Sequence, residues 1–308
     1  MSILNVQLKC PYEKRALNER CKKTCLPWPK TQRTRMLRSV HGGFIFTAGF
    51  ERTVLVHWIL AASALLRLRR LPDGRRLTRV LLDRSSVTVI VGPRPPYFLR
   101  RWRVREAGDV SNPTRICQTG GRFPPRVSFV LLDLEHWRYT PRWAQDHPLR
   151  AARCMARAAR RRGLGLIPAP ALDLMLTRRW RSLRGPLIAR DIRSRLAPRL
   201  ARYAAAYELQ SQGLEFHPRR YARAVATIVR AVHAVRSGLP VYAGLSTNPR
   251  GPRVTLALLK EDIRLTRADV VGYWLNVPAP GGPCPRCRRP RPALALRLIS
   301  AEARSISH

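Results

Sequence analysis

Val127–Ser128–Phe129–Val130–Leu131–Leu132–Asp133–Leu134–Glu135 is the stretch from which the fold is read. Side chains of a strand alternate between faces, so Val127, Phe129, Leu131, Asp133 and Glu135 lie on one side. Three apolar residues on that face lead to two carboxylates at the C-terminal end. Downstream the same pattern recurs. A helix is expected near Leu149–Arg162, after a loop with Pro141 and Pro148. A short apolar run, Gly163–Pro168, follows and ends in Pro170 and Asp173. The spacing then predicts a helix over Leu187–Arg202, a strand over Tyr203–Gln210 and an amphipathic helix over Pro218–Arg236. Beyond these come a strand at Leu239–Leu245, a helix at Thr255–Arg267 and a strand at Val270–Leu275. Strands alternating with helices of this length imply parallel βαβ units. The fold class is α/β, a (β/α)8 TIM-type barrel of which residues 127–308 form strands four to eight.

Upstream the pattern is weaker. Residues 1–43 are polar and basic and read as an irregular leader. Residues 44–126 are the poorly defined N-terminal part of the barrel, with strand candidates at Phe44–Phe46, Thr53–Ile59 and Val87–Val91 and helical periodicity near Ile59–Leu71. If this irregular third supplies three strands, the barrel closes. If it does not, the barrel is incomplete and strands four and eight expose edges.

The strand ends carry the functional reading. On the third run after Arg126, Ala204, Ala206, Glu208 and Gln210 share a face, which leaves Tyr207 facing the helices. Tyr242, Gly244, Ser246 and Asn248 share a face on the next run, and Val270, Gly272, Trp274 and Asn276 on the last. Each run goes from apolar or small to polar, and barrel enzymes place their sites at that C-terminal mouth. Polar residues also mark where strands become loops, which accounts well for Ser246 and Asn248. It accounts less well for Asp133 and Glu135, because two acids on one inward face repel and resist burial. Glycoside hydrolysis commonly needs two carboxylates flanking one bond, one of them kept protonated. Glu135, Asp133 and Glu208 are therefore the catalytic candidates. Trp274, Asn276, Gln210, Asn248 and Asp173 are the substrate-binding candidates. Trp274 and Trp137 could stack on sugar rings, while Trp143 reads as packing.

The segment Leu131–Leu132–Asp133–Leu134–Glu135–His136–Trp137 resembles the Asp-x-Glu end of the fourth strand in chitinase-like glycoside hydrolases, which are (β/α)8 barrels. With Val127–Glu135 as strand four, the resemblance places Tyr207–Glu208 where that family has a Tyr-Asp pair on strand six. It places Trp274 where the family has the Trp that floors the sugar site. The resemblance implies that Glu135 protonates the glycosidic oxygen and that Asp133 orients the substrate's N-acetyl group. It covers about 180 residues, and the chain departs from the family's longer pattern at Leu131 and Ser128, where two further Asp residues belong. More broadly, the chain is similar to uncharacterised bacterial (β/α)-barrel proteins.

Charge opens another class. The 308 residues include 59 Lys and Arg against 18 Asp and Glu, a net charge of +41. Such a field attracts polyanions. Yet only six of the basic residues are Lys, and the Arg residues are spread along the chain instead of gathering on one arm. Compositional bias accounts for that spread as well as binding does. Seven scattered Cys do not form a disulfide framework, and Cys117 and Cys154 are too isolated to be assigned. Cys284-Pro285-Arg286-Cys287 is a C-x-x-C with no second one, which leaves a zinc half-site, a reversible disulfide or chance open, and Cys10, Cys21 and Cys25 sit in the leader, so no metal site is assigned. No phosphate loop or dinucleotide glycine pattern is present, and no cofactor is expected. Thr53–Leu66 is too short for a membrane span of roughly 20 residues. Residues 1–40 lack the apolar core of a secretory signal, which makes a cytoplasmic location the default. The readings that remain are a carbohydrate-active hydrolase, a non-catalytic carbohydrate-binding barrel and an Arg-rich polyanion-binding protein.

Overall fold

The computed structural model describes residues 56–249, 253–281 and 289–305. The leader, Phe44–Phe46 and the cysteines at 10, 21, 25, 284 and 287 lie outside the described residues. Among the described residues there are eight parallel strands: β1 (His57–Ala61), β2 (Val87–Val91), β3 (Arg105–Val110), β4 (Phe129–Leu134), β5 (Gly165–Pro170), β6 (Tyr207–Leu209), β7 (Val241–Ser246) and β8 (Gly272–Asn276). Their ladder runs β5-β4-β3-β2-β1-β8-β7-β6. Residues 57–110 thus supply the first three strands. β4 pairs with β3 and β8 with β1, so neither is an edge.

The sheet rolls until β5 and β6 meet, and this seam is thinly bonded. A bridge joins Ala171 to Gln210, and the Ala205 amide donates to the Leu166 carbonyl at 2.7 Å. The sequence explains why. The amides of Gly165 and Ala171 donate to β4, through Ser128 and Leu134. Successive residues alternate direction, so the even-numbered positions of β5 turn their backbone to β6. Two of these are Pro168 and Pro170, which have no N–H to give.

Ten helices cover the strands: α1 (Ala62–Arg69), α2 (Gly74–Leu82), α3 (Thr114–Thr119), α4 (Arg142–Asp146), α5 (Pro148–Arg160), α6 (Leu187–Ser194), α7 (Leu196–Ala201), α8 (Pro218–His233), α9 (Leu256–Thr266) and α10 (Pro292–Arg304) among the described residues. Proline opens α5, α8 and α10, where its missing N–H costs nothing. The single helix expected over Leu187–Arg202 is two. Pro198 would collide with the carbonyl of Ser194, four residues back, and the chain breaks at Arg195 with φ +54°. The strand expected over Tyr203–Gln210 shrinks to three residues. The amides of Tyr203 and Ala204 are bonded to Leu200 and Ala201, in a turn that closes α7.

Two apolar layers result. Ile59, Ile90, Ala107, Leu131, Ile167 and Trp274 are among the residues that fill the barrel interior. A larger layer, including Leu60, Val89, Leu132, Tyr207, Val225 and Leu275, lies between strands and helices. Each fully buried side chain of this size contributes about 1.5–3 kcal/mol. At Gly272 the backbone of β1 leaves no room, since a Cβ there would overlap the His57 carbonyl. Cys117 and Cys154, unassigned from sequence, form a disulfide between α3 and α5 that spans 37 residues. Closing a loop of that length stabilises by about 3–4 kcal/mol.

Candidate active site

The C-terminal ends of β3, β4 and β6 bring acids to one mouth. On β4, Phe129 and Leu131 belong to the interior layer, and Asp133 follows them on the same face. Asp133 is 7% exposed. Glu135, one residue beyond the strand end, is half-buried. On β6, Glu208 faces inward after Ala206 and is fully buried, while Tyr207 packs into the helix layer as the alternation required.

A further acid was missed in the sequence. β3 reads Arg-Glu-Ala-Gly-Asp-Val, too polar for an apolar run, yet Arg105, Ala107 and Asp109 alternate inward. The Arg105 guanidinium lies 5.4 Å from the centre of the Phe129 ring. Asp109 lies beside Leu131 in the ladder and reaches the mouth from the third strand. The signal was this period-two alternation, which is legible once the strand is known.

Electrostatics tie the acids into one cluster. The Asp133 carboxyl is held well above its ordinary range, first by burial, then by the charges of Glu135 and Asp109. A hydrogen bond opposes this, with Gln210 Nε2 donating to Asp133 Oδ1 at 2.7 Å and to the Ala169 carbonyl at 2.9 Å. Glu208 is also pushed well up, by burial and then by Glu135, and neither of its carboxyl oxygens has a hydrogen-bond partner among the described residues. Asp109 has an exposed side chain, and the protein packed around its carboxyl nevertheless raises it to about 6. Such a set holds protons that isolated carboxylates would release.

Of the substrate-binding candidates, Gln210 joins the acid cluster through Asp133. Trp274 lies in the interior layer with an unpartnered indole N–H, and Asn276 follows it on the same face, partly exposed. The other two are engaged elsewhere. Asn248 Nδ2 donates to the Arg289 carbonyl at 3.0 Å, and Asp173 Oδ1 accepts from the His136 amide at 2.9 Å. Asp173 therefore anchors the loop that carries Glu135. In that loop the Trp137 indole donates to Thr140 Oγ1 at 2.8 Å and its ring meets Tyr139 edge-on. Trp143 donates to Thr114 Oγ1 and packs. Among the described residues, no three His, Cys, Asp or Glu are grouped to hold a metal ion, and no helix is long and apolar enough to cross a membrane.

No protein-family model and no curated protein matches the sequence. Solved structures similar in overall shape include triosephosphate isomerase from Bartonella henselae, at 14% identity and TM-score 0.43, with 72% of this chain and 92% of that one covered. A chitinase from Chromobacterium violaceum is 11% identical, with TM-score 0.44 and coverage of 80% and 99%. The PgaB glycoside hydrolase domain from Bordetella bronchiseptica is 10% identical, with TM-score 0.37 and coverage of 72% and 94%.

Proposed function

We propose that the mouth hydrolyses a glycosidic bond, with Glu135 as proton donor, Asp133 as its partner and Glu208 opposite them. One observation carries this reading: Glu208 is fully buried beside like charges, with both carboxyl oxygens unanswered. Leaving a buried polar group unpaired costs about 1–3 kcal/mol, so a ligand that answers it gains that much in return. A sugar offers hydroxyl donors to Glu208 and an apolar face to Trp274. Glu135 meets solvent at the rim, where a leaving group would depart, and its loop is pinned by Asp173. Gln210 positions Asp133 and touches no reacting atom.

The test is turnover of a panel of chromogenic glycosides and oligosaccharides by the full chain and by Glu135→Gln. Loss of about 100-fold or more with an unchanged melting temperature is expected. Undiminished turnover in the variant would sink the assignment of Glu135. Binding without turnover in the parent chain, seen as a sugar-dependent rise in melting temperature, would leave a carbohydrate-binding barrel in its place.

A further inference from the structure

Where α1 ends and α2 begins, a hollow of about 760 Å³ opens, with Arg69, Arg70, Gly74, Arg75, Arg76 and Phe98 in its lining. Arg69 is held by aromatic planes, its guanidinium carbon 4.0 Å from the centre of Phe98 and 5.4 Å from that of Trp102. No ion pair joins Arg69, Arg70 or Arg75 to an acid among the described residues. Arg76 reaches only Asp73, at 3.9 Å, with both side chains about 70% exposed. Arg75 and Arg76 stand in the first turn of α2, which has no acid and where the positive end of the helix disfavours cations. Asp73 is the one acid in the lining, and burial, Arg75 and Arg79 all lower the Arg69 pKa, as expected where cations outnumber acids.

We propose that this hollow binds a phosphate-bearing ligand, its phosphate oxygens gripped by Arg69, Arg70, Arg75 and Arg76. Guanidinium forks bond such oxygens two at a time, and a cation poised over an aromatic face keeps its fork oriented. The volume falls in the range of small-ligand sites, roughly 300–1,000 Å³, so it accepts a phosphate together with what it is attached to. A second basic hollow, of about 360 Å³ and lined by Arg195, Arg199 and Arg202, has no aromatic plate and serves as the internal control for diffuse charge.

The experiment compares the full chain with Arg75→Gln/Arg76→Gln and with Arg199→Gln/Arg202→Gln. Both pairs remove the same charge from exposed positions. Inorganic pyrophosphate is titrated calorimetrically, and a fluorescent single-stranded oligonucleotide is followed by anisotropy, both in about 150 mM salt. The first pair is expected to lose about tenfold or more in affinity, with a salt slope shallower by about two, while the second stays within about twofold. If only pyrophosphate responds, the source is a small phosphate compound. If the oligonucleotide responds in the same way, the source is a nucleic-acid backbone. Equal losses in the two variants, or no binding of either probe by the parent chain, would overturn the proposal.

Discussion

Glu208 and Glu215 are both fully buried carboxyls, and the molecule treats them oppositely. Glu215 lies in the turn after β6, where it accepts the Gly213 amide and, at 2.8 Å, the Ser246 amide. Burial raises it to about 7, and these amides pull against the rise. Glu208 has no such donors, and its nearest electrostatic influence is another acid. Burial alone therefore does not mark a functional acid. The acid proposed for chemistry is instead buried, without a hydrogen-bond partner among the described residues, and adjacent to a like charge at the C-terminal end of the barrel strands. Asp262 sharpens the distinction. Both its carboxyl oxygens lack a partner among the described residues, yet it sits in the middle of α9, away from the strand ends that carry the other acids.

The comparison predicts opposite responses to substitution. Glu215→Ala leaves two amides unpaired and is expected to cost about 2–4 kcal/mol in denaturant unfolding while sparing chemistry in the folded fraction. Glu208→Gln is expected to keep the unfolding midpoint and lose about 100-fold in glycoside turnover. If the two effects exchanged places, Glu208 would be the structural acid.

A smaller effect concerns pH. Burial raises Asp109 to about 6, Asp191 to about 7 and Asp262 to about 8, all from 3.8, and Glu215 to about 7 from 4.5. These groups hold protons more tightly folded than unfolded. Their stabilisation is complete below the unfolded pKa values and is lost as pH rises through the folded ones. Unfolding midpoints should fall steadily from about pH 5 to about pH 8. A flat or rising profile would contradict the raised values of these acids. Asp262→Asn should flatten the upper end of that profile, because Asp262 has the highest of the four values, and it should leave glycoside turnover unchanged. The smallest effect is expected at the exposed Glu261–Arg264 pair. Its nitrogen and oxygen lie 2.6 Å apart, yet Arg264→Ala should leave the melting temperature unmoved.

Much of the second half was legible because β4, β7 and β8 are apolar runs whose alternation reaches the mouth intact. Glu208 was placed correctly by that alternation even though most of the strand expected around it is a turn. β3 was not legible. Its inward positions hold Arg105 and Asp109, so the apolar signal shrinks to Ala107 and the strand is defined by its neighbours instead. The fate of Asn248 and Asp173 was equally hidden, since both bond to backbone brought near only by the fold. The Cys117–Cys154 link joins two helices separated by a whole strand and needed the tertiary structure to appear.

The thin bonding between β5 and β6, left by Pro168 and Pro170, has a consequence for how the molecule could be divided. Severing the chain at the exposed turn around Gly185 would cut no ladder. It would yield one piece with five strands and one with three, able to zip together along β1 and β8. The first piece would carry Asp109, Asp133 and Glu135, and the second Glu208. Neither fragment alone would hold a complete acid cluster, so such a pair would behave as a logical AND, reporting their reunion by whatever the cluster does.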